Sequence, residues 1–458
     1  MTDINYSRAE LALNSHYEIL ESKWKIEDRV AEYGMLVVPS GNSDRPFHRW
    51  FHFKEGYSHA LVEKLVAEKP KSAAGPLSIL DPFIGSGTTL LSGIELLRDR
   101  ADGSRLEGVE RNPVMHIIAA AKLLGAAKGG ELGERVQAAE QEFWSSYERI
   151  LATAPAATTE SATLNNASYF DAASVRSLIS LGRAARMAHD EEVRTIFQAC
   201  VAMSVEPSGK LRRDGRALRF QPNKTVRSPT DAVRSAIARV LEDMKTVESS
   251  FEGDVDLSLG DARSFRPDSP RSFDWAIFSP PYPNNIDYTE VYKTEAWALE
   301  LFQTSGDVRQ QRLATLRSHP SVKFADDYLY ASSDISSEVA ALIEPILEAI
   351  PDDRYKPGRT QVVKGYADDM LAVLVNTRSL MAADGRCAIV VGNSSHGHAS
   401  GQYVIASDLL IAGLAELSGW NVLEIRVARR PKRRKDPHGW LRESVILLEC
   451  EPFGGGVH

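Results

Sequence analysis

Apolar and polar positions along the chain follow two different periods, and the clearest change of period lies in its first quarter. An apolar run at 77–80 is typical of a buried parallel strand, and Pro82 ends that run. A glycine turn follows, and the spacing then predicts a helix over 88–97. A second apolar run, 106–109, ends on Glu110. This order of strand, glycine turn, helix and strand ending in an acid suits a ligand with ribose hydroxyls.

Strand spacing returns late in the chain, which divides it into alternating and helical regions. Short strands are predicted at 257–259, 273–278, 386–391, 422–425 and 444–448. The pattern between them predicts an N-terminal helical arm (1–45), a catalytic domain (46–113 and 256–458), a helical insertion (114–255) and a second insertion (303–360). The expected fold class is therefore α/β and Rossmann-like, with a large helical insertion. The last two strands are expected to form a hairpin at the edge of the sheet.

Composition limits the class of protein without deciding its function. The 458 residues are 43% hydrophobic and 25% charged, with a net charge of −8. Cys200, Cys387 and Cys450 show no metal-ligand spacing, so we expect no metal site and a reducing compartment. The N-terminus has no secretory pattern, and no run reaches the ~18 apolar residues of a membrane helix. We therefore expect a cytoplasmic protein with no membrane partner.

The glycine turn alone leaves several interpretations open. A phosphate-binding loop would need a lysine where Thr88 stands, and a dinucleotide fingerprint would need a glycine where Leu90 stands. A tight turn without any ligand is a further alternative.

A second motif, Ser279-Pro280-Pro281-Tyr282, follows the predicted strand 273–278. Two successive prolines make the turn rigid and exclude it from a sheet ladder. Ser279 and the carbonyl of Pro280 could accept the protons of an exocyclic amine and increase the nucleophilicity of its nitrogen. Tyr282 could stack on a base extruded from a duplex. Because both turns follow central parallel strands, we expect them to meet at one edge of the sheet.

Together, DPFIGSGTT at 81–89 and SPPY at 279–282 resemble the amino-group DNA methyltransferases, which modify N4 of cytosine or N6 of adenine. The resemblance covers 46–113 and 256–450. It implies S-adenosylmethionine as cofactor and double-stranded DNA as partner, and it leaves open a partner from a restriction or defence system. Many members carry SPPY before the glycine turn, so this chain departs from that arrangement.

The resemblance also assigns roles to particular residues. It places Ser279, Pro280, Pro281 and Tyr282 at the reacting base, and Asp261 near the adenine of the cofactor. An aromatic segment upstream of the glycine turn is expected to close over the methionine end. The predicted cofactor-binding residues are Phe53, Glu55, Asp81, Pro82, Phe83, Gly85, Ser86, Gly87, Thr88, Thr89, Glu110, Asn112, Asp261, Ala262 and Ser279.

Two basic stretches are candidates for the phosphate backbone of DNA, although a solvated basic loop is equally compatible with each. The first lies in the helical insertion, and the second lies between the last two strands. The predicted DNA-binding residues are Lys210, Arg212, Arg213, Arg216, Arg219, Lys224, Arg227, Arg430 and Arg433.

The expected reaction is methylation of cytosine N4 at a specific duplex site, because SPPY is the usual form among N4-cytosine enzymes. An N6-adenine or RNA amino-group methyltransferase shares the same motifs and stays an alternative. A binding module without activity and a nucleotide hydrolase are more distant alternatives. Methylation of the cytosine ring carbon would need a Pro-Cys nucleophile, and none of the three cysteines follows a proline.

Overall fold

The computed structural model describes residues 8–69, 75–100, 102–153, 159–214, 218–269, 271–284, 286–398, 401–431 and 438–450. The helices are α1 (Arg8–Glu21), α2 (Val30–Tyr33), α3 (His59–Ala67), α4 (Thr88–Leu97), α5 (Pro113–Thr153), α6 (Ala172–Arg186), α7 (Glu191–Val205), α8 (Pro229–Met244), α9 (Tyr288–Ala298), α10 (Ser305–Ala314), α11 (Ser336–Glu348), α12 (Lys356–Leu380) and α13 (Ser407–Leu417). The strands are β1 (Ile26–Asp28), β2 (Ser78–Asp81), β3 (Arg105–Glu110), β4 (Leu211–Arg213), β5 (Leu218–Phe220), β6 (Asp254–Leu259), β7 (Phe273–Phe278), β8 (Met381–Gly392), β9 (Ser394–His398), β10 (Gly401–Ile405), β11 (Trp420–Arg429) and β12 (Glu443–Cys450).

One large sheet organises the fold. Among the described residues, eight strands pair in the order β6-β3-β2-β7-β8-β12-β11-β1. The neighbours from β6 to β8 run parallel, whereas β12 is antiparallel to both β8 and β11. Helices connect β2 to β3, β3 to β6 and β7 to β8, as parallel pairing usually requires. The expectation of a Rossmann-like α/β methyltransferase fold with a large helical insertion is confirmed.

Alternating side chains of the central strands supply two apolar cores, one on each face of the sheet. Ile79 and Ile277 belong to the core that includes α3, α4 and α5, while Leu80 and Phe278 belong to the core with α12 and α13. Consecutive residues of a strand point to opposite faces, so a strand buried on both sides must be apolar throughout. This explains the uninterrupted apolar run of residues 273–278.

The predicted insertion is continuous with the catalytic core. Helix α5 begins directly after β3, and Val114 and Ile118 at its start pack in the same apolar core as β2. The helix then bends at Gly129, whose φ of +51° is outside the helical region. Helices α6, α7 and α8 pack against α5. The extra helices therefore extend one face of the sheet.

The structure corrects two expectations about the edge of the sheet. The N-terminal segment is not only helical, because β1 pairs in parallel with β11, with Ile26 opposite Ile425. The β11–β12 hairpin is therefore not at the edge, which β1 covers instead. A strand of three residues is too short to show a period in the sequence. In the described part of the chain, no helix combines the length and the apolar composition that crossing a membrane requires.

A lysine buried in α5 gives a test of this packing. Lys122 is 2% exposed, and its Nζ donates to the carbonyl of His48 at 3.3 Å. Burial lowers the pKa of Lys122 from 10.5 to about 7. The folded protein therefore binds this proton more weakly than the unfolded chain, and the resulting destabilisation is largest below pH 7 and disappears as the pH approaches 10.5.

We expect Lys122→Met to raise the free energy of unfolding at pH 7 by about 4 kcal/mol, because it removes the cost of keeping the amine in an apolar core. The gain should shrink towards pH 10 in urea titrations. The exposed Lys245 provides the control, since Lys245→Met should change stability by less than about 0.5 kcal/mol. A destabilised Lys122→Met protein at pH 7 would contradict this account.

Candidate active site at the carboxyl edge of the sheet

A cavity of about 310 Å³ opens where β2, β3, β6 and β7 end. Parallel strands place their carboxyl ends at one edge, so the turns after these strands surround the same space. Almost every residue predicted to bind the cofactor or the target base lines this cavity. These residues are Phe53, Glu55, Asp81, Pro82, Phe83, Gly85, Ser86, Thr88, Thr89, Glu110, Asn112, Asp261, Ala262, Ser279, Pro280, Pro281 and Tyr282.

Asp81 holds the turn between β2 and α4. One carboxylate oxygen accepts from the backbone N–H of Phe83 at 2.9 Å, and the other accepts from the hydroxyls of Thr89 and Tyr57. The side chain is 2% exposed, and burial raises the pKa of Asp81 to about 7. These contacts secure the first turn and connect it to the aromatic segment upstream.

The two glycines of the turn have different surroundings. Gly85 has a φ of +53°, and a Cβ there would lie 2.9 Å from the ring of Phe53. Gly87 has a φ of +96° and begins α4, but it lies against Ala119 and is absent from the cavity lining. Gly87, predicted to bind the cofactor, is therefore the one member of that set that the structure places outside the cavity.

Two further acids stand at the ends of β3 and β6. The carboxylate of Glu110 accepts from the backbone N–H groups of Gly85 at 2.9 Å and Asn112 at 2.7 Å, and burial raises the pKa of Glu110 to about 7. Burial opposes ionisation of Asp261, but hydrogen bonds from Arg263 lower the pKa of Asp261 overall. Both groups present acceptor oxygens, which suit ribose hydroxyls and an adenine amino group.

The SPPY turn faces the glycine turn across the cavity. Strands β2 and β7 are hydrogen-bonded neighbours, with Leu80 opposite Ala276. The Ser279 hydroxyl donates to the Tyr282 hydroxyl at 3.2 Å, and a Cβ at Gly392 would lie 2.9 Å from the Tyr282 ring. The Ser394 hydroxyl also donates to the carbonyl of Pro283 at 2.8 Å. The end of β8 and the start of β9 thus hold the turn, and the Ser279 oxygen lines the cavity, where it can accept a hydrogen bond.

Two residues predicted to contact DNA are instead used inside the protein. The Arg213 guanidinium lies 4.8 Å from the ring centroid of Phe51 and 5.2 Å from that of Tyr292, and it pairs with Glu206 and Glu295. The Lys224 amine donates at 2.6 Å to two backbone carbonyls, those of Glu206 and Leu211. Their charges and donors are already engaged, so we remove Arg213 and Lys224 from the predicted DNA surface.

Five other predicted DNA-binding residues lie nearer the surface. Arg212, Arg219, Arg227 and Arg430 are exposed, and Lys210 is partly exposed. Arg219 pairs with Asp214, and Arg227 donates to the hydroxyl of Ser235. Arg216 and Arg433 lie outside the described residues. Their contact with DNA stays a prediction.

The cavity also has walls that sequence reasoning missed. Tyr288 and Tyr292 of α9 line it, as do residues 314–316, Ser318 and His319 of the second insertion. The spacing of the two tyrosines, four residues apart in a helix, could have indicated a shared face. Nothing comparable marks residues 314–319, because only the tertiary fold returns that segment to the cavity.

The strand order, with its reversed β12, and a cavity at the ends of the adjacent strands β2 and β7 are those of the fold of S-adenosylmethionine-dependent methyltransferases. No protein-family model matches the chain. Two curated relatives align over most of its length. Type II methyltransferase M.AvaI of Nostoc sp. (strain PCC 7120 / SAG 25.82 / UTEX 2576) is 22% identical over 449 residues, covering 91% of this chain and 87% of that protein. Type II methyltransferase M.BsoBI of Geobacillus stearothermophilus is 23% identical over 470 residues, covering 90% and 87%.

Solved structures include two other methyltransferases with low overall similarity. The rRNA methyltransferase aviRa from Streptomyces viridochromogenes has a TM-score of 0.30 and 12% identity, covering 88% of this chain and 89% of that one. The glycopeptide N-methyltransferase MtfA has a TM-score of 0.25 and 8% identity, covering 94% and 97%. The fold assignment therefore rests on the strand order and not on these two structures.

The buried carboxyl of Asp81 predicts how stability depends on pH. Its pKa is higher in the folded protein than in the unfolded chain, so folding is favoured by protonation and loses stability as the pH rises from 4 to 7. In Asp81→Asn, the amide oxygen can accept from Phe83 and the amide nitrogen can donate to Thr89. We expect this variant to be more stable than the parent by about 4 kcal/mol at pH 8 and equally stable at pH 4.

Chemical denaturation between pH 4 and pH 8 tests this expectation. The exposed Asp334 gives a matched control, because Asp334→Asn should follow the parent curve at every pH. A constant difference between Asp81→Asn and the parent would show that ionisation of Asp81 is not the cause.

Proposed function

We propose that this protein transfers a methyl group from S-adenosylmethionine to the N4 amine of cytosine in double-stranded DNA. The observation that carries the proposal is that Asp81, at the first turn, and Ser279, at the SPPY turn, line one cavity. Each turn binds one reactant in the proposed reaction, and methyl transfer requires the two reactants to be adjacent.

The residues around the first turn fit the cofactor. Glu110 is held by two backbone N–H groups and presents a carboxylate to ribose hydroxyls. The absence of a side chain at Gly85 keeps the space beside Phe53 open. Asp261 offers an acceptor to the adenine amino group. When bound, S-adenosylmethionine supplies an electrophilic methyl group.

The residues of the second turn fit an exocyclic amine. The oxygen of Ser279 and the carbonyl of Pro280 are available to accept the amino protons, which directs the nitrogen lone pair away from them. The neighbouring prolines limit the movement of both acceptors. Tyr282 provides an aromatic face at the cavity for a base that has left the duplex.

Two considerations support DNA as the polymer that is methylated and cytosine as its target base. The two curated relatives are type II methyltransferases, which supports DNA as the polymer. Serine ahead of the prolines is the form usual among N4-cytosine enzymes that the chain resembles. An adenine N6 enzyme is the nearest alternative.

Nucleoside analysis tests the substrate directly. Unmethylated genomic DNA and RNA are incubated with the protein and isotope-labelled S-adenosylmethionine, digested, and analysed by mass spectrometry. We expect label in N4-methylcytosine from DNA only. Label in N6-methyladenine would support the alternative, and label in RNA nucleosides alone would contradict DNA as the substrate.

Substitutions in the two turns should affect different steps, namely turnover in the SPPY turn and cofactor binding in the glycine turn. Ser279→Ala removes one acceptor, so we expect turnover to fall about 100-fold while cofactor affinity stays within about 2-fold. Gly85→Val places a side chain against Phe53 at a left-handed backbone position, so we expect cofactor affinity to fall at least about 100-fold.

Calorimetric titration of the cofactor and a methylation assay measure both effects. Ser337→Ala, on the exposed surface of α11, is the control and should match the parent in both assays. The assignment of the two turns fails if Ser279→Ala loses cofactor binding while Gly85→Val retains it.

A further inference from the structure

A second, smaller cavity adjoins the large one. It has a volume of about 230 Å³ and shares three wall residues with the large cavity, namely Lys54, Glu55 and Tyr292. Its other lining residues are His52, Glu206, Arg212 and Arg213. The two spaces are therefore direct neighbours.

The lining of the small cavity carries an excess of positive charge. Arg213 is engaged with Glu206 and Glu295, which leaves Lys54 and Arg212 as the accessible cations. The Lys54 amine donates to the carbonyl of Arg213 at 3.1 Å and keeps two further N–H donors. Among the described residues, no carboxylate lies within 4.0 Å of the Arg212 guanidinium. Both cations can therefore serve an anion.

The positive charges of this lining affect the pKa of His52. Burial lowers the pKa of His52, and the positive charges of Lys54, Arg213 and Arg212 lower it further, against the opposing effect of Glu206. Across the shared wall, Glu55 accepts from the Tyr292 hydroxyl at 2.8 Å, and burial raises the pKa of Glu55. The acid in the wall between the cavities is therefore engaged by Tyr292.

Arg212 lies on β4 beside a residue that is held in place by other side chains. Arg213 turns inward from β4, whereas Arg212 is exposed, and both residues line the small cavity. Arg213 is anchored between Phe51 and Tyr292, and Tyr292 belongs to the wall that both cavities share. This anchor holds the strand from which Arg212 extends.

We propose that the small cavity binds a backbone phosphate of the DNA strand whose target base occupies the large cavity. This inference rests on the proposed function. A nucleotide links its base to a phosphate through one sugar, and the two cavities lie on either side of one shared wall. Arginine and lysine together supply the charge and the hydrogen-bond donors that a phosphate requires.

Neutralising single phosphates tests the proposal. After the modified site has been located by sequencing DNA that the protein has methylated, duplexes are made with a neutral methylphosphonate at each phosphate flanking the target base. We expect one such duplex to bind the parent about 10-fold more weakly than the unmodified duplex. Arg212→Gln and Lys54→Gln should each show a smaller difference between that duplex and the unmodified one than the parent, and the double variant should bind both with similar affinity.

Salt dependence gives a second readout with a matched control. The slope of log affinity against log salt should decrease by about 1 in Arg212→Gln, because one phosphate contact is lost. Lys23→Gln removes an exposed charge at the end of α1, which packs on α11 and α13, and should keep the parent slope. Cofactor affinity should be unchanged in Arg212→Gln, which excludes a general disturbance of the fold.

The outcomes distinguish this inference from the proposed function. If DNA is methylated but every methylphosphonate duplex binds the parent as well as the unmodified one, only the phosphate site is wrong. The site is also wrong if Arg212→Gln and Lys54→Gln remain as sensitive as the parent. If no DNA nucleoside is methylated, the proposed function fails and the phosphate site falls with it.

Discussion

The parallel pairing of β2 with β7 is the constraint on which the candidate site depends. Ile79 lies opposite Trp275 and Leu80 opposite Ala276. Strand β2 ends one residue after Leu80, and β7 ends two residues after Ala276. Because parallel strands end at the same edge, the backbone hydrogen bonds of the sheet bring two motifs nearly 200 residues apart in sequence to one cavity. Any protein that lost this pairing would keep both motifs and lose the site.

Burial of polar groups around that edge prepares the cavity for its ligands. Asp81 is engaged by Phe83, Thr89 and Tyr57, whereas Glu110 is engaged by two backbone N–H groups and still faces the cavity. Both carboxyls have pKa values raised to about 7 by burial. A buried carboxyl lowers the free energy of unfolding when it is ionised, and hydrogen bonds from a bound ligand can offset this loss.

Neighbouring arginines in the basic stretch of the insertion have different environments, because Arg213 is paired inside the protein and Arg212 is exposed. The basic stretch of the insertion resembles a DNA-contacting loop, yet β4 directs Arg213 inward to Glu206 and Glu295 and leaves Arg212 outside. The inward residue ties the insertion to α9, whose Tyr292 borders both cavities. Arg213 therefore adds to the contacts of α6 and α7 with α9 that join the insertion to the cavity edge.

The sequence by itself determined the α/β class, the helix over residues 88–97, the strand over residues 273–278, and the two turns that follow central strands, because each depends on local apolar spacing and on glycine or proline. The tertiary structure alone decided that β1 covers the sheet edge, that Gly87 packs on Ala119 away from the cavity, and that His319 returns to its wall. It also decided which basic side chains are buried. These features depend on contacts between residues far apart in the chain, which leave no period or spacing in the sequence.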